Sequence, residues 1–179
     1  MSIISDEYLK EQINLHNNPD YGVASLVFSP IVAKICKEND IKNISDYGAG
    51  KKRLIDGLQK HGLNNIEYFP YDPVFPEYGE PKKADLVCCI DVLEHIEPEY
   101  VDNTIKKLSE ITIKIGFYSI HLGPATKILS NGKNAHLIQK PTSWWLPKLC
   151  KYFDIMHLQK HNAHGVGFWV IVTPKKLQH

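Results

Sequence analysis

The chain has 179 residues, with 43% hydrophobic, 23% charged and 10% aromatic side chains. These are the proportions of one soluble domain, which at this length buries roughly 70% of its unfolded surface without help from disulfides or structural metal. Basic and acidic residues nearly cancel, 21 against 20, and Arg53 is the sole arginine, which argues against a protein that coats nucleic acid.

No run of about 18 apolar residues is present, so a membrane span is not expected. The opening Met1–Glu7 lacks a basic stretch followed by an apolar one, so no signal peptide is expected either. Residues 5–17 read as a short helix, capped by Ser5, with Asp6 and Glu7 at the positive end of its dipole. A second helix has an opening at Ser29 as N-cap and Pro30 at the first helical position, with a start near Ala24 as the alternative. The segment 1–40 is thus a helical lead that packs on the core of one domain, residues 1–179.

Ile41–Tyr47 then reads as a strand, Gly48-Ala49-Gly50 as a turn, and Leu54, Ile55 and Leu58 as a helix that stops at Gly62. A second strand runs from Ile66 to Tyr71 and ends at Asp72-Pro73. Residues 73–83 are rich in proline and carry no convincing element. Ala84–Asp91 is nearly all apolar, as in a strand buried on both faces. A helix through Val101, Ile105 and Leu108 follows, then a strand from Ile113 to His121. A polar loop at about 123–140 leads to a helix at 144–152, and strands at about 154–160 and 166–173 close the chain as a hairpin. His161 and His164 fall in the hairpin loop and are expected to face solvent. Alternating strands and helices predict an α/β fold of three layers, with a mostly parallel sheet and an antiparallel C-terminal hairpin.

Cys36, Cys88, Cys89 and Cys150 show no metal-finger spacing and read as reduced, mostly buried thiols of a cytoplasmic protein.

Asp46-Tyr47-Gly48-Ala49-Gly50 sits between a strand and a helix, where ligands bind in such sheets and where glycine lets backbone approach a ligand. Asp72 ends the next strand, placed to accept protons from both hydroxyls of a ribose. Arg53 stands where a dinucleotide turn needs its third glycine, so an adenosine cofactor without pyrophosphate fits better than NAD.

With Asp91-Val92-Leu93-Glu94-His95-Ile96 after the buried strand, the sequence resembles the class I S-adenosylmethionine-dependent methyltransferases over about residues 21–173. The resemblance implies S-adenosylmethionine as cofactor and a Rossmann-like fold. By it, the turn of Tyr47, Gly48, Ala49 and Gly50 seats the methionine part, ordered by Asp46. Asp72 holds the ribose, and Cys89 to Asp91 line the cofactor. That fold usually has a helix, a strand and often a further helix after the second strand, which need more than about twenty residues. Only the eleven residues 73–83 are present, so this region is expected to be shortened.

The sulfonium is already activated, so aligning the acceptor and excluding water are the main tasks. No one catalytic residue is therefore assigned; the candidates are His121, His136, Glu94 and His95. Asp91, Glu94, His95 and His136 also resemble the Glu-x-x-Glu-His string with a later histidine that binds metal in some methyltransferases, with Asp in the first place. Glu94-His95 occurs in many metal-free members as well, and the metal-free arrangement is the preferred expectation.

Residues 121–145, including Trp144 and Trp145, form the candidate acceptor wall, with Tyr21-Gly22 as a lid; packing is the favoured role of the two tryptophans. The leading expectation is methyl transfer to a small-molecule or sugar-like acceptor. The alternatives are a cofactor-binding protein without transferase activity and a metal-assisted 2′-O-methyltransferase acting on RNA. Nucleic acid is not the expected partner, and the sequence is silent on oligomeric state.

Overall fold

A computed structural model describes residues 4–162 and 165–175. Its helices are α1 (Asp6–His16), α2 (Ala24–Glu38), α3 (Arg53–Lys60), α4 (Val101–Ile111) and α5 (Thr142–Cys150). The strands are β1 (Asn43–Tyr47), β2 (Glu67–Tyr71), β3 (Ala84–Ile90), β4 (Thr112–His121), β5 (Phe153–His161) and β6 (Gly167–Pro174). They form one sheet in the order β2-β1-β3-β4-β6-β5. The first four strands run parallel, and β6 is antiparallel to both β4 and β5.

All seven residues of β3 are buried, and their alternation assigns the layers. Leu86, Cys88 and Ile90 pack with Phe28 and Val32 of α2 and Leu54 and Leu58 of α3. Val87 and Cys89 pack on the other face with Val101, Ile105 and Leu108 of α4 and Trp145 and Leu149 of α5. The result is the expected three-layer α/β sandwich.

Between β2 and β3 only a 3-10 turn at Pro76–Tyr78 is formed, which leaves β2 at the sheet edge. Pro70 sits inside β2, where an edge strand tolerates the missing N–H.

Several boundaries differ from the expectation. The Ser29-Pro30 pair does not open α2: the helix begins at Ala24 and runs through Pro30. Pro30 has no N–H to give to the Leu26 carbonyl, and Ser29 Oγ donates to that oxygen instead, at 2.8 Å. The terminal helix covers Thr142–Cys150 rather than 144–152. His161 belongs to β5 and is half-buried, its ring edge-on to Phe28 with centroids 5.3 Å apart. His164 lies outside the described residues.

The 123–140 segment is more than a polar loop. Leu129, Ala135 and Ile138 are buried, and Ile128 bridges to Asn134. Leu129 and Ala135 share a small cluster with Tyr8 of α1, flanked by Ile4 and Leu15, so α1 docks on this segment. As expected, Ser5 caps α1, accepting from Tyr8 N; its own Oγ donates to Glu97 at 2.7 Å.

Helices α2 and α3 cross tightly at Gly57, where an added Cβ would lie 2.5 Å from Ser29 Cβ and Oγ. Gly57→Ala is therefore expected to lower unfolding stability by about 1–3 kcal/mol, although alanine is the better helix former by about 1 kcal/mol. Urea denaturation checks this; an unchanged or raised midpoint would show that the crossing can relax.

Candidate functional site

The chain leaves β2 at the sheet edge and re-enters it at β3 on the other side of β1, so a crevice opens between the carboxyl ends of β1 and β3. The turn after β1 floors it. Gly48 has φ +81° and Gly50 φ +47°, the left-handed region that favours glycine. Gly48 N and Ala49 N donate to the Tyr71 carbonyl at 2.8 and 2.9 Å, which ties the turn to the end of β2. A Cβ on Gly48 would lie 2.4 Å from Val92 Cγ2, so this backbone has no room for a side chain.

Asp72 follows β2 directly. Its Oδ2 accepts from Gly50 N and its Oδ1 from Val74 N, each at 2.9 Å. Each carboxylate oxygen keeps a lone pair for a further donor. Asp46, near the end of β1, accepts a short hydrogen bond from Tyr68 Oη.

Asp46, Asp72 and Asp91 all line one cleft of about 540 Å3, well within the range of small-ligand sites. Burial pushes the Asp46 carboxyl up to about 7, and the neighbouring Asp72 charge adds to the rise. Burial raises Asp72 too, opposed by the Val74 and Gly50 N–H groups. Among the described residues no lysine or arginine forms an ion pair with any of the three.

A carboxyl whose folded value lies above its unfolded one costs stability as pH rises between the two. Here the window runs from about 4 to about 7. Asp46→Asn removes that cost, so its advantage over the parent is expected to be near zero at pH 4. It should grow through the window and level off above pH 7, at an order of a few kcal/mol. Thermal melts of the two proteins across pH measure it; a difference that does not change with pH would dismiss the buried charge.

Asp91 takes φ +50°, unusual for a non-glycine residue. It is held there by Ser119, whose Oγ donates to Asp91 Oδ1 at 2.6 Å and accepts from Asp91 N at 3.0 Å. That conformation turns the chain into the 3-10 turn Leu93–His95.

Glu94 is fully buried; its Oε1 accepts from His121 N at 2.9 Å and its Oε2 has no hydrogen-bond partner. Burial, reinforced by Asp91, raises its carboxyl well above the usual range. His95 Nδ1 lies 2.9 Å from the Ala135 carbonyl, and His136 Nδ1 lies 2.8 Å from that of Gly123. Burial, then the neighbouring His136, holds the His95 imidazole down to about 3; burial also lowers His136. Both rings are therefore neutral near pH 7. They stand edge to face, with centroids 4.6 Å apart. Asn134 sets this wall: its Oδ1 accepts from Ala125 N and His136 N, and its Nδ2 donates to the Ala125 carbonyl.

The structure brings Asp46, Tyr47, Gly48, Ala49, Gly50, Asp72, Asp91, His95, His121 and His136 to the cleft, with Tyr21 and Gly22 across it. Cys89 is not among the lining residues. Strand alternation turns it to the α4 face, and Ile90 and Asp91 take the expected place. Trp144 and Trp145 form no part of the wall: Trp145 is fully buried in the α4–α5 core and Trp144 packs against it.

Sequence reasoning misses Tyr8, Gln12 and His16 of α1, which line the cleft, as well as Tyr68 and Ser119, which hold Asp46 and Asp91. His16 is edge-on to both Tyr21 and Phe75. No local pattern marks these residues; only the docking of α1 and the sheet register bring them in.

No protein-family model matches the chain, and a comparison with curated proteins finds no significant relative. Solved structures do match. The 1,6-didemethyltoxoflavin-N1-methyltransferase of Burkholderia thailandensis, with S-adenosylhomocysteine bound, has a TM-score of 0.64 and 12% identity over 95% of this chain and 90% of that one. The N-methyltransferase NodS of Bradyrhizobium japonicum WM9, also with S-adenosylhomocysteine, gives 0.61 and 9% identity over 96% of this chain and 100% of its own. TnmH gives 0.60 and 12% over 84% of this chain, which spans just 55% of that protein.

Proposed function

We propose that this chain, which carries the class I methyltransferase fold, is an S-adenosylmethionine-dependent methyltransferase acting on a small-molecule acceptor. The observation that carries the reading is the cleft itself. Asp46, Asp72 and Asp91 line it at the carboxyl ends of the parallel strands around a glycine turn, and among the described residues no lysine or arginine forms an ion pair with any of them. Such a site suits a ligand that brings its own positive charge together with hydroxyl donors. S-adenosylmethionine brings a sulfonium, an ammonium and a ribose. In this reading Gly48–Gly50 admit the methionine part, Asp46 faces its ammonium, and Asp72 takes the ribose hydroxyls.

Methyl transfer breaks the carbon–sulfur bond and makes a bond from the same carbon to the acceptor, so the nucleophile must stand in line with the sulfur. The acceptor then occupies the side of the cleft walled by His121 and His136. A hydroxyl acceptor must also lose a proton. His121, which lines the cleft, would receive it in this reading. The near-neutral net charge and the confined volume favour a small acceptor.

Calorimetric titration of the purified chain with S-adenosylmethionine and S-adenosylhomocysteine tests the reading. Saturable binding of both, with methyl transfer to a member of a small-molecule pool, is the expected result. No heat at millimolar cofactor would end it. Binding without transfer to any acceptor would favour a regulatory cofactor-binding protein.

A further inference from the structure

We propose that Tyr68 is a positioning residue of the cofactor site: its hydroxyl clamps one oxygen of Asp46 and leaves the other to the ammonium of S-adenosylmethionine, in place of a lysine or arginine partner. That role rests on the methyltransferase reading. The sheet sets its geometry. Strands β1 and β2 run parallel, with Tyr68 opposite Ile44. Asp46 lies two residues further along β1, about 6.6 Å at the ordinary strand rise. A tyrosine side chain spans that length, and Tyr68 Oη donates to Asp46 Oδ2. The Tyr68 ring packs against the apolar cluster that Ile44 shares with α2 and α3, which fixes the direction of the hydroxyl.

Asp46 needs such a partner. It is buried, and among the described residues no lysine or arginine forms an ion pair with it. An ionised carboxyl in that setting is costly unless a hydrogen bond stabilises its charged form. The titratable groups that face it are Tyr68 of β2, Asp72 just after β2, Tyr78 of the 3-10 turn, and Cys88 and Cys89 of β3. Burial raises both thiols and the Tyr78 hydroxyl, so these stay neutral, and Asp72 is the second charge. Burial and then Asp72 work against the charged form of Asp46, and within this group Tyr68 favours it.

An ammonium pairs with the ionised carboxyl and not with the neutral acid. The Asp46 carboxyl sits at about 7 in the free protein, so cofactor affinity should be full above that pH and fall as pH drops through it. A hydrogen bond to a charged group is worth about one to two pH units of titration. Removing the Tyr68 hydroxyl should therefore move the loss of affinity upward by about that much. Packing needs only the Tyr68 ring, whereas this role needs its oxygen, and phenylalanine separates the two.

The test titrates S-adenosylmethionine and S-adenosylhomocysteine by calorimetry into the full chain and its Tyr68→Phe variant between about pH 6 and pH 9. The ratio of the two affinities at each pH cancels the titration of the ligand itself. Tyr68→Phe should bind about tenfold more weakly near pH 7 and come within about twofold of the parent by pH 9. In an Asp46→Asn background the same change should alter affinity by less than about twofold at every pH. Far-UV circular dichroism confirms the fold, and Tyr68→Leu serves should Tyr68→Phe not fold. A ratio that is the same at every pH, or a loss undiminished by Asp46→Asn, would make Tyr68 a packing residue and overturn the role. Carboxyl-carbon NMR of the free protein gives a reading that needs no cofactor. Asp46 should titrate at higher pH in Tyr68→Phe, and an unmoved titration overturns the role even if the cofactor binds. A parent that binds neither ligand at millimolar concentration ends the methyltransferase reading and the cofactor role with it. Cofactor binding with a pH-independent ratio removes Tyr68 alone.

Discussion

Asp72→Ala is expected to weaken S-adenosylmethionine binding by about a hundredfold while leaving the sheet intact. The carboxylate now collects Gly50 N–H and Val74 N–H and lines the cleft. Its bonds to ribose hydroxyls would be charge-assisted, each worth about 1.5–3 kcal/mol. Losing two of them gives roughly a hundredfold at the least, since 1.4 kcal/mol is a factor of ten. The two N–H groups freed by the substitution border a cleft, where water can replace the carboxylate. The loss should therefore appear in affinity rather than in folding. Methionine alone serves as the internal control, because in the proposed orientation its contacts would lie at the Gly48–Gly50 turn and Asp46. If the variant keeps its affinity for the cofactor within a factor of about three, Asp72 is no more than a brace for the turn, and the cofactor orientation proposed above is wrong.

The second large effect is expected at Gly48. Two penalties coincide there. The positive φ costs an L side chain about 1–2 kcal/mol, and a Cβ would overlap Val92, whose Cγ2 and Cγ1 would lie 2.4 and 2.9 Å away. Val92 packs against the core, so it has little freedom to retreat. Gly48→Ala should lower unfolding stability by about 3 kcal/mol or more and abolish cofactor binding, because relief of the overlap moves the turn or the start of the Leu93–His95 segment. Gly22 separates the two penalties. It has the same φ of +81°, and an added Cβ there would meet nothing within 4 Å, so Gly22→Ala should carry the conformational cost alone. In Gly48→Ala/Val92→Ala the steric part should be largely recovered, which a double-mutant cycle reads directly. An absence of coupling between the two substitutions would place the defect elsewhere.

What is legible in the string follows a physical pattern. Ala84–Ile90 is recognisable as a central strand because a strand buried on both faces must be apolar at every position, and all seven residues are buried. Asp46, Gly48, Gly50 and Asp72 are recognisable as positions that line the cleft because a turn of positive φ needs glycine, and a strand-end carboxylate needs no distant partner to face a crevice. The start of α2 is misleading because Ser29-Pro30 is an opening pair in isolation. Only the Ser29 hydroxyl on the Leu26 carbonyl shows how the helix continues through proline. Cys89 misleads for a similar reason: adjacent positions in a strand face opposite layers, and the string does not say which faces the cleft.

Sequence by itself determined the alternating α/β plan, the shortened passage after β2 and the acidic, glycine-turned strand ends, because each follows from local periodicity or from the conformational freedom of one residue type. Tertiary structure decided the rest. It set Ser119 against Asp91 and docked α1 on the 123–140 segment. It also carried His136 from a distant part of the chain to within reach of Glu94 and His95. Those outcomes depend on which faces pack together, a property of the whole chain that no short stretch of it encodes.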